Sequence, residues 1–334
     1  MSTEQIKPIL LVALGGNALI RKGERGTITE QVANLRSPVR QIARLTRTHR
    51  VIITHGNGPQ VGDLLLQQEC CDSVPRLPLE ILVAQTQGQI GYMIESTLDN
   101  ELMALHLDRQ QLFVSLLSYV VVDEQDPAFH KPSKPIGPTF TAEAAARLPY
   151  PTVSTPKGYR RVVASPEPKS IVEKREIRKL MELGFIVITC GGGGIPVIRE
   201  GRHFAGVDAV IDKDLASARL AHEVDVDLLV IATDVEGVAV HYGQPEQRFL
   251  RVLTLDQAVE LLQAGAFPAG SMGPKVEACT RFLHHGGKRA VVCSVDAIEE
   301  AVAGRDAFLT NLGKTSQKTN SQEDCEKTAE ELYK

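Results

Sequence analysis

Two short apolar segments, each ending in glycines, constrain this chain most. They are residues 9–14 (ILLVAL), followed by Gly15-Gly16-Asn17, and residues 51–54 (VIIT), followed by His55-Gly56-Asn57-Gly58-Pro59. Strands that are apolar on both faces are typical of parallel sheets covered by helices. Glycines let backbone N–H groups approach a ligand, and a helix N-terminus behind them adds partial positive charge. The pattern predicts an enzyme that binds phosphate groups from more than one side.

Strand-like and helix-like segments alternate along most of the chain. Residues 27–49 read as an amphipathic helix, because Thr27 and Glu30 have the spacing of a capping box. The other expected helices are 59–71, 78–107, 170–183, 211–221, 255–264 and 274–285, and the other expected strands are 112–122, 185–190, 228–232 and 290–293. A four-glycine run, 191–194, follows one strand, and 199–201 reads as a hairpin turn. This order predicts an α/β fold around a parallel sheet.

The alternation is interrupted between residues 123 and 168. This segment is rich in proline and has no clear periodicity. Since a loop of this length is rarely structureless inside a compact domain, we expect a small protruding subdomain or lid over a site. Residues 313–334 are polar and low in apolar content, so we expect a disordered tail or a frayed helix.

Two lysines stand at predicted helix starts. Lys213 lies between Asp212 and Asp214, and Lys275 follows the glycine-containing turn 270–274. A lysine beside a glycine turn is a point charge suited to phosphate oxygens. The flanking carboxylates could orient the lysines or approach a metal ion. A solvated surface cluster of ion pairs is the alternative.

Several functional classes are disfavoured by composition. The net charge of −4 gives no basic footprint for nucleic acid, and no apolar run reaches the ~18 residues of a membrane span. The six cysteines form no C-x-x-C pair, so we expect them to be free thiols in a reducing cytoplasm. The segment Gly313-Lys314-Thr315 resembles the end of a phosphate loop, but Phe308 stands where that motif needs glycine. His55 is either an acid–base candidate or a structural residue.

Eight segments together resemble carbamate kinases of the amino-acid kinase family. They are ALGGNA (13–18), HGNGPQVG (55–62), QGQIGY (87–92), DPAFHKPSKPIGP (126–138), RRVVASPEP (160–168), GGGGIPV (191–197), VDAVIDKDLA (207–216) and GSMGPK (270–275). The resemblance implies a three-layer α/β/α sandwich around a mainly parallel sheet, with a small protruding lid. It divides a kinase-like domain, 1–312, into a carbamate and phosphoryl side (1–122), the lid (123–168) and a nucleotide side (169–312).

The same resemblance implies roles for individual residues. Lys134 would reach the transferring phosphoryl group from the lid. Lys213 and Lys275 would bind the nucleotide phosphates and the transferring group. Asp214 would orient Lys213 and Lys275. The substrate would be held by Gly15, Gly16, Asn17, Gly56, Asn57 and Gly58. Thr233 and Asp234 would contribute to the adenosine pocket. Many amino-acid kinases carry a lysine two residues before the first Gly-Gly pair. This chain has Ala13 at that position, which is similar to carbamate kinases.

The implied reaction is reversible phosphoryl transfer between ATP and carbamate, with Mg²⁺ bridging the nucleotide phosphates and no metal held by the protein alone. The resemblance also implies a cytoplasmic homodimer. Two alternatives stay open: a kinase for another small carboxylate, and a non-catalytic sensor of nucleotide or carbamoyl phosphate. Two segments depart from the family pattern: 154–161, within the lid, and 308–312, where a final strand is expected.

Overall fold

The chain has 334 residues, and a computed structural model describes residues 7–155, 158–268 and 270–304. The expected final strand at 308–312, the Gly313-Lys314-Thr315 segment and the polar tail at 313–334 therefore lie outside the described residues.

The strands and helices follow the predicted alternation. The strands are β1 (Ile9–Leu14), β2 (Arg50–His55), β3 (Leu112–Ser115), β4 (Tyr119–Val121), β5 (Lys134–Phe140), β6 (Thr152–Thr155), β7 (Gly158–Val163), β8 (Ser170–Ile171), β9 (Phe185–Ile188), β10 (Ile195–Glu200), β11 (His203–Gly206), β12 (Leu228–Thr233), β13 (Ala239–Val240), β14 (Arg248–Phe249) and β15 (Arg289–Ser294). The helices are α1 (Ile28–Leu45), α2 (Gly58–Glu69), α3 (Leu79–Ala104), α4 (Ala142–Ala145), α5 (Lys174–Glu182), α6 (Lys213–Glu223), α7 (Leu255–Gln263), α8 (Met272–His284) and α9 (Ile298–Ala303).

The central sheet has six parallel strands in the order β15-β12-β1-β2-β9-β3. Successive residues of β1 face opposite layers, because side chains alternate along a strand. Leu10 and Val12 pack with α1, α3 and α9, whereas Leu11 and Ala13 pack with α5, α6, α7 and α8. The predicted three-layer α/β/α architecture is confirmed.

Local sequence signals account for several element boundaries. The Thr27 hydroxyl accepts from the Glu30 N–H while the Glu30 carboxylate accepts from the Thr27 N–H, so the predicted capping box starts α1. Pro59 lies in the first turn of α2, where its missing N–H costs nothing. The hairpin predicted around 199–201 joins β10 and β11.

The single strand predicted for 112–122 is wrong. Residues 112–115 form β3 at the edge of the central sheet, whereas Tyr119–Val121 form β4 in a second sheet of order β11-β10-β4-β8. Between them, Ser118 is tied to α3, because its N–H donates to the Gln87 side chain at 3.0 Å. The helix expected at 170–183 likewise begins only at Lys174, because Ser170 and Ile171 pair with β4.

The proline-rich segment contains a sheet of its own. Strands β5, β7 and β6 form an antiparallel sheet, with α4 in the connection between β5 and β6. This sheet contacts α2 at one very close approach, where a Cβ added to Gly62 would lie 1.9 Å from the Gly137 Cα. Arg160 donates two hydrogen bonds to the Gly137 carbonyl, at 3.0 and 2.7 Å. We call residues 123–168 the lid segment.

The described cysteines Cys70, Cys71, Cys190, Cys279 and Cys293 are all free thiols, as expected. None of the described helices has the length and apolar content needed to cross a bilayer.

Candidate active site

The glycine turns predicted to bind phosphate meet at the carboxyl edge of the central sheet. A Cβ added to Gly56 would lie 3.3 Å from the Gly16 nitrogen and 3.5 Å from the Lys213 Cδ. The turns after β1 and β2 therefore face the start of α6. Ligands of open α/β sheets bind at this edge, so the topology itself predicts a site here.

A third glycine turn completes this edge. Gly192, Gly193 and Gly194 follow β9 and have φ angles of 66°, 94° and 88°, which favour glycine over other residues. A Cβ on Gly192 would lie 2.2 Å from the Asn57 amide nitrogen, and one on Gly193 would lie 2.4 Å from the Ile211 carbonyl oxygen. The turn thus lies against both the second glycine turn and the chain leading into α6.

Three charged side chains form a buried cluster beside these turns. Asp214 accepts from Lys213 through one carboxylate oxygen and from Lys275 through the other, at 2.9 Å for Lys275. The Asp214 side chain is only 4% exposed. The alternative of a solvated surface cluster is wrong, and the structure brings together Lys213, Asp214 and Lys275 from the starts of two helices.

The pKa values of this cluster reflect burial against mutual attraction. Burial raises the pKa of Asp214, but Lys213 and Lys275 outweigh it and hold that pKa well below its usual value. Burial lowers the pKa of Lys275, yet Asp214 outweighs it and the pKa is raised. The pKa of Lys213 is lowered because its ammonium is fully buried and lies near Lys275. A single carboxylate thus holds two cations, leaving net positive charge for an anionic ligand.

The lid segment reaches this cluster through Lys134. Its ammonium donates to the Asp212 carboxylate, which also caps α6 by accepting from the Asp214 N–H at 2.9 Å. Burial raises the pKa of Asp212, but Lys134 outweighs it and the pKa is lowered. The structure therefore brings four residues that the sequence singled out into contact: Lys134, Asp212, Lys213 and Asp214.

The remaining predicted residues lie on two sides of the cluster. Thr233 is buried at the end of β12, next to the first turn, because the Gly15 N–H donates to the Ala232 carbonyl at 2.9 Å. Asp234 is exposed beside it and lies on the Lys275 side. Asn57 is buried and donates to Thr86, whereas Asn17 is exposed on its turn.

Within the described parts of the chain, His, Cys, Asp and Glu side chains form no group of three or more able to hold a metal ion. The two carboxylates of the site, Asp212 and Asp214, are each engaged by lysines. This donor set does not fit a metal ion held by the protein alone.

The amino acid kinase family model matches residues 8–294. The chain belongs to the amino acid kinase family.

Close relatives within that family are carbamate kinases. The chain is 46% identical to the carbamate kinase of Thermococcus kodakarensis over 306 residues, covering 89% of this chain and 96% of that protein. It is 46% identical to the carbamate kinase of Haemophilus influenzae, covering 89% and 94% of the two chains. Among solved structures, the Giardia lamblia carbamate kinase bound to AMP-PNP has a TM-score of 0.83 and 36% identity, with 92% and 99% covered. The resemblance inferred from the motifs is confirmed.

Within this kinase fold, sequence reasoning missed some of the site. The sequence predicts that Asp212 could orient a lysine or approach a metal ion, but it does not show that this lysine is Lys134 of the lid segment or that Asp212 caps α6. The glycines at 191–194 were recognised as a turn but not included among the site residues. The signal was present in both cases: an Asp at a helix start, and four glycines after an apolar strand.

His55 is buried in this kinase site and gives a testable pH dependence. Burial lowers the pKa of His55 from 6.5 to about 4. The unfolded chain therefore binds a proton as the pH falls below ~6.5, while the folded chain does not until ~4. The stability that neutral His55 contributes is complete above ~6.5 and is lost as the pH falls towards ~4.

We expect this residue to account for about 2 kcal/mol of the difference in unfolding free energy between pH 7 and pH 5. Urea denaturation of the wild type and His55→Gln at both pH values measures it. The variant should lose that part of the pH dependence, and an identical pH dependence in the two proteins would contradict the assignment.

Proposed function

We propose that this protein is a carbamate kinase that transfers a phosphoryl group reversibly between carbamoyl phosphate and ADP. The observation that carries the proposal is the buried cluster of Lys213, Asp214 and Lys275 facing the glycine turns, with Lys134 reaching it from the lid segment. The carbamate kinase relatives support the choice of substrate.

The arrangement suits phosphoryl transfer, which requires positioning and charge neutralisation more than covalent help. An oxygen of the ADP β-phosphate attacks phosphorus, the bond from phosphorus to the carbamate oxygen breaks, and carbamate leaves as an anion. Lys213 and Lys275 would neutralise the transferring group, and the glycine N–H groups would hold its oxygens. Carbamate is an anionic nucleophile in the reverse direction, so the step requires no general base.

We infer that Mg²⁺ arrives with the nucleotide as part of the substrate. The engagement of Asp212 and Asp214 by lysines supports this, because neither carboxylate is left free for a metal. We place the adenosine beside Thr233 and Asp234. The Giardia relative bound to AMP-PNP supports a nucleotide site in this fold.

The direct test is ATP formation from carbamoyl phosphate and Mg-ADP in a coupled assay, with enzyme-free blanks because carbamoyl phosphate decomposes spontaneously. Rapid enzyme-dependent ATP formation is expected. A protein that binds ADP without forming ATP would instead be the non-catalytic sensor. Activity on another acyl phosphate alone would favour the other alternative, a kinase for another small carboxylate.

Replacement of Lys134 should separate catalysis from nucleotide binding. We expect Lys134→Ala to lower kcat more than tenfold, because the lid charge aimed at the transferring group is lost. ADP affinity should stay nearly unchanged, since Lys134 contacts Asp212 rather than the β12 end where we place adenosine. Steady-state kinetics and calorimetric titration of ADP measure both quantities. An equal loss of ADP affinity would defeat this role.

We also propose a homodimer in the cytoplasm. The carbamate kinase resemblance supports the dimer, and the free thiols support a reducing compartment. Light scattering coupled to size-exclusion chromatography tests the dimer, and fractionation of the source cells tests the location.

A further inference from the structure

An ion pair outside the buried lysine cluster joins the lid segment to helix α2. Arg161, on strand β7 of the lid segment, donates to the Glu69 carboxylate at 2.6 Å. Only 24% of the Arg161 side chain and 27% of the Glu69 side chain are exposed. The Arg161 guanidinium also lies over the Tyr150 ring, 4.1 Å from its centroid. A planar guanidinium held by both a carboxylate and a ring keeps one orientation, unlike the mobile ion pairs of an open surface.

Helix α2 connects this ion pair to the phosphate side of the site. The helix begins at Gly58, in the second glycine turn, and ends at Glu69. It also meets the lid segment where Gly62 approaches Gly137, about 10 Å from Glu69 along the helix. The neighbouring side chains of α2 and β5 pack in one apolar cluster, and apolar contacts do not fix a direction. The ion pair is therefore a second, directional attachment that prevents the lid sheet from rotating about the first.

Strand β7 transmits this constraint to Lys134. Arg161 is paired with Ile136 of β5, and Val163 is paired with Lys134, in antiparallel register. Two residues along a strand span about 7 Å, so the attachment point and Lys134 are close neighbours in the same small sheet. Because backbone hydrogen bonds join the two strands, a rotation of β7 on α2 also displaces Lys134.

We propose that Arg161 is a positioning residue for phosphoryl transfer. Its ion pair with Glu69 fixes the angle of the lid sheet on α2 and thereby places the Lys134 ammonium at the transferring group. Arg161 acts through Lys134 and does not itself bind the substrate. This inference rests on the proposed carbamate kinase activity and on the role proposed there for Lys134.

The first test removes each partner of the ion pair separately and then both together. Arg161→Met keeps the apolar stem of the side chain, and Glu69→Gln keeps its shape. Each should lower kcat for ATP formation from carbamoyl phosphate about tenfold, because Lys134 loses its placement. The Kd for ADP should change less than twofold. The double variant should lose no more than the larger single loss, because the two residues act as one unit.

Two outcomes of this comparison would overturn the inference. Single losses that multiply in the double variant would show that the two residues act independently. A loss in Arg161→Met without a loss in Glu69→Gln would show that Arg161 acts on the substrate itself. The matched control is Arg76→Met, since Arg76 pairs with Asp72 at 2.8 Å and both side chains are exposed. It should leave kcat unchanged.

A second comparison uses the Lys134→Ala background. Adding Arg161→Met there should lower kcat less than twofold further, because the group that Arg161 places is already absent. A further tenfold loss would show a general defect of the site and would contradict a role through Lys134.

Hydrogen exchange separates failure of this inference from failure of the proposed function. The backbone amides of β5 and β7 should exchange at least threefold faster in Arg161→Met than in the wild type, while those of the central sheet stay unchanged. Unchanged exchange in the lid sheet would overturn the inference even if activity fell. A wild type that forms no ATP from carbamoyl phosphate would overturn the proposed function and the catalytic part of this inference, whereas faster exchange would still show that the ion pair holds the lid sheet on α2.

Discussion

Gly62→Ala should lower kcat/KM for carbamoyl phosphate at least 100-fold while leaving the central sheet folded. The new Cβ would lie 1.9 Å from the Gly137 Cα and 2.1 Å from its nitrogen, and backbone atoms cannot rotate away as a side chain can. Helix α2 and strand β5 must therefore separate. Lys134, which we propose acts on the transferring group, begins β5, and a displacement of about 1 Å at such a group can cost 10²-fold in rate.

The matched control is Gly88→Ala in the middle of α3. A Cβ there meets nothing within 4 Å. Alanine is the better helix former by ~1 kcal/mol, so this variant should keep full activity and gain slightly in stability. ADP affinity of Gly62→Ala should also persist, because the proposed adenosine side does not include β5. Wild-type kcat/KM in Gly62→Ala would show that the close approach of α2 to the lid segment is not needed for activity.

Asp214→Asn should reduce both stability and activity. The change removes the carboxylate that accepts from both Lys213 and Lys275, and leaves two buried ammonium groups without their ion-pair partner. Removing one member of a buried ion pair typically costs about 3–5 kcal/mol. We expect a loss of this size in the unfolding free energy at pH 7, measured by urea denaturation. The kcat should fall at least 100-fold, because the two lysines lose their orientation.

Added phosphate distinguishes this explanation from a general packing defect. An inorganic phosphate placed between the two lysines would supply the missing negative charge, so added phosphate should stabilise Asp214→Asn more than the wild type. The control is Asp225→Asn, since Asp225 is an exposed partner of Arg178 at 3.0 Å and has a φ of 57°, which asparagine tolerates. It should change stability by less than ~0.5 kcal/mol. A small effect in Asp214→Asn would refute the role of this carboxylate as the organiser of the cluster.

Local signals in the sequence predicted most of the fold. The capping box at Thr27 placed the start of α1, and apolar runs followed by glycines placed the ends of β1, β2 and β9. These features depend on residues a few positions apart, which the sequence shows directly. Because strand ends of a parallel sheet share one edge, the same signals also indicated where a phosphate would bind.

The boundary between β3 and β4 was not predictable in this way. The apolar run at 112–122 shows that these residues avoid water, but it does not show that they divide between two sheets. That division depends on the pairing of β3 with β9 and of β4 with β10, more than 70 residues further along the chain.

The amino-acid sequence by itself determined the α/β class with a parallel sheet, the glycine turns, and Lys213 and Lys275 at helix starts, because periodicity and turn chemistry act over short distances. The third layer and the role of Lys134 were implied by the family resemblance. Only the tertiary structure decided which charges pair and where the lid segment lies. Lys134 and Asp212 are 78 residues apart, and Gly62 meets Gly137 across two separate elements. Burial makes each of these contacts strong or costly, and burial depends on how the whole chain packs rather than on any one segment.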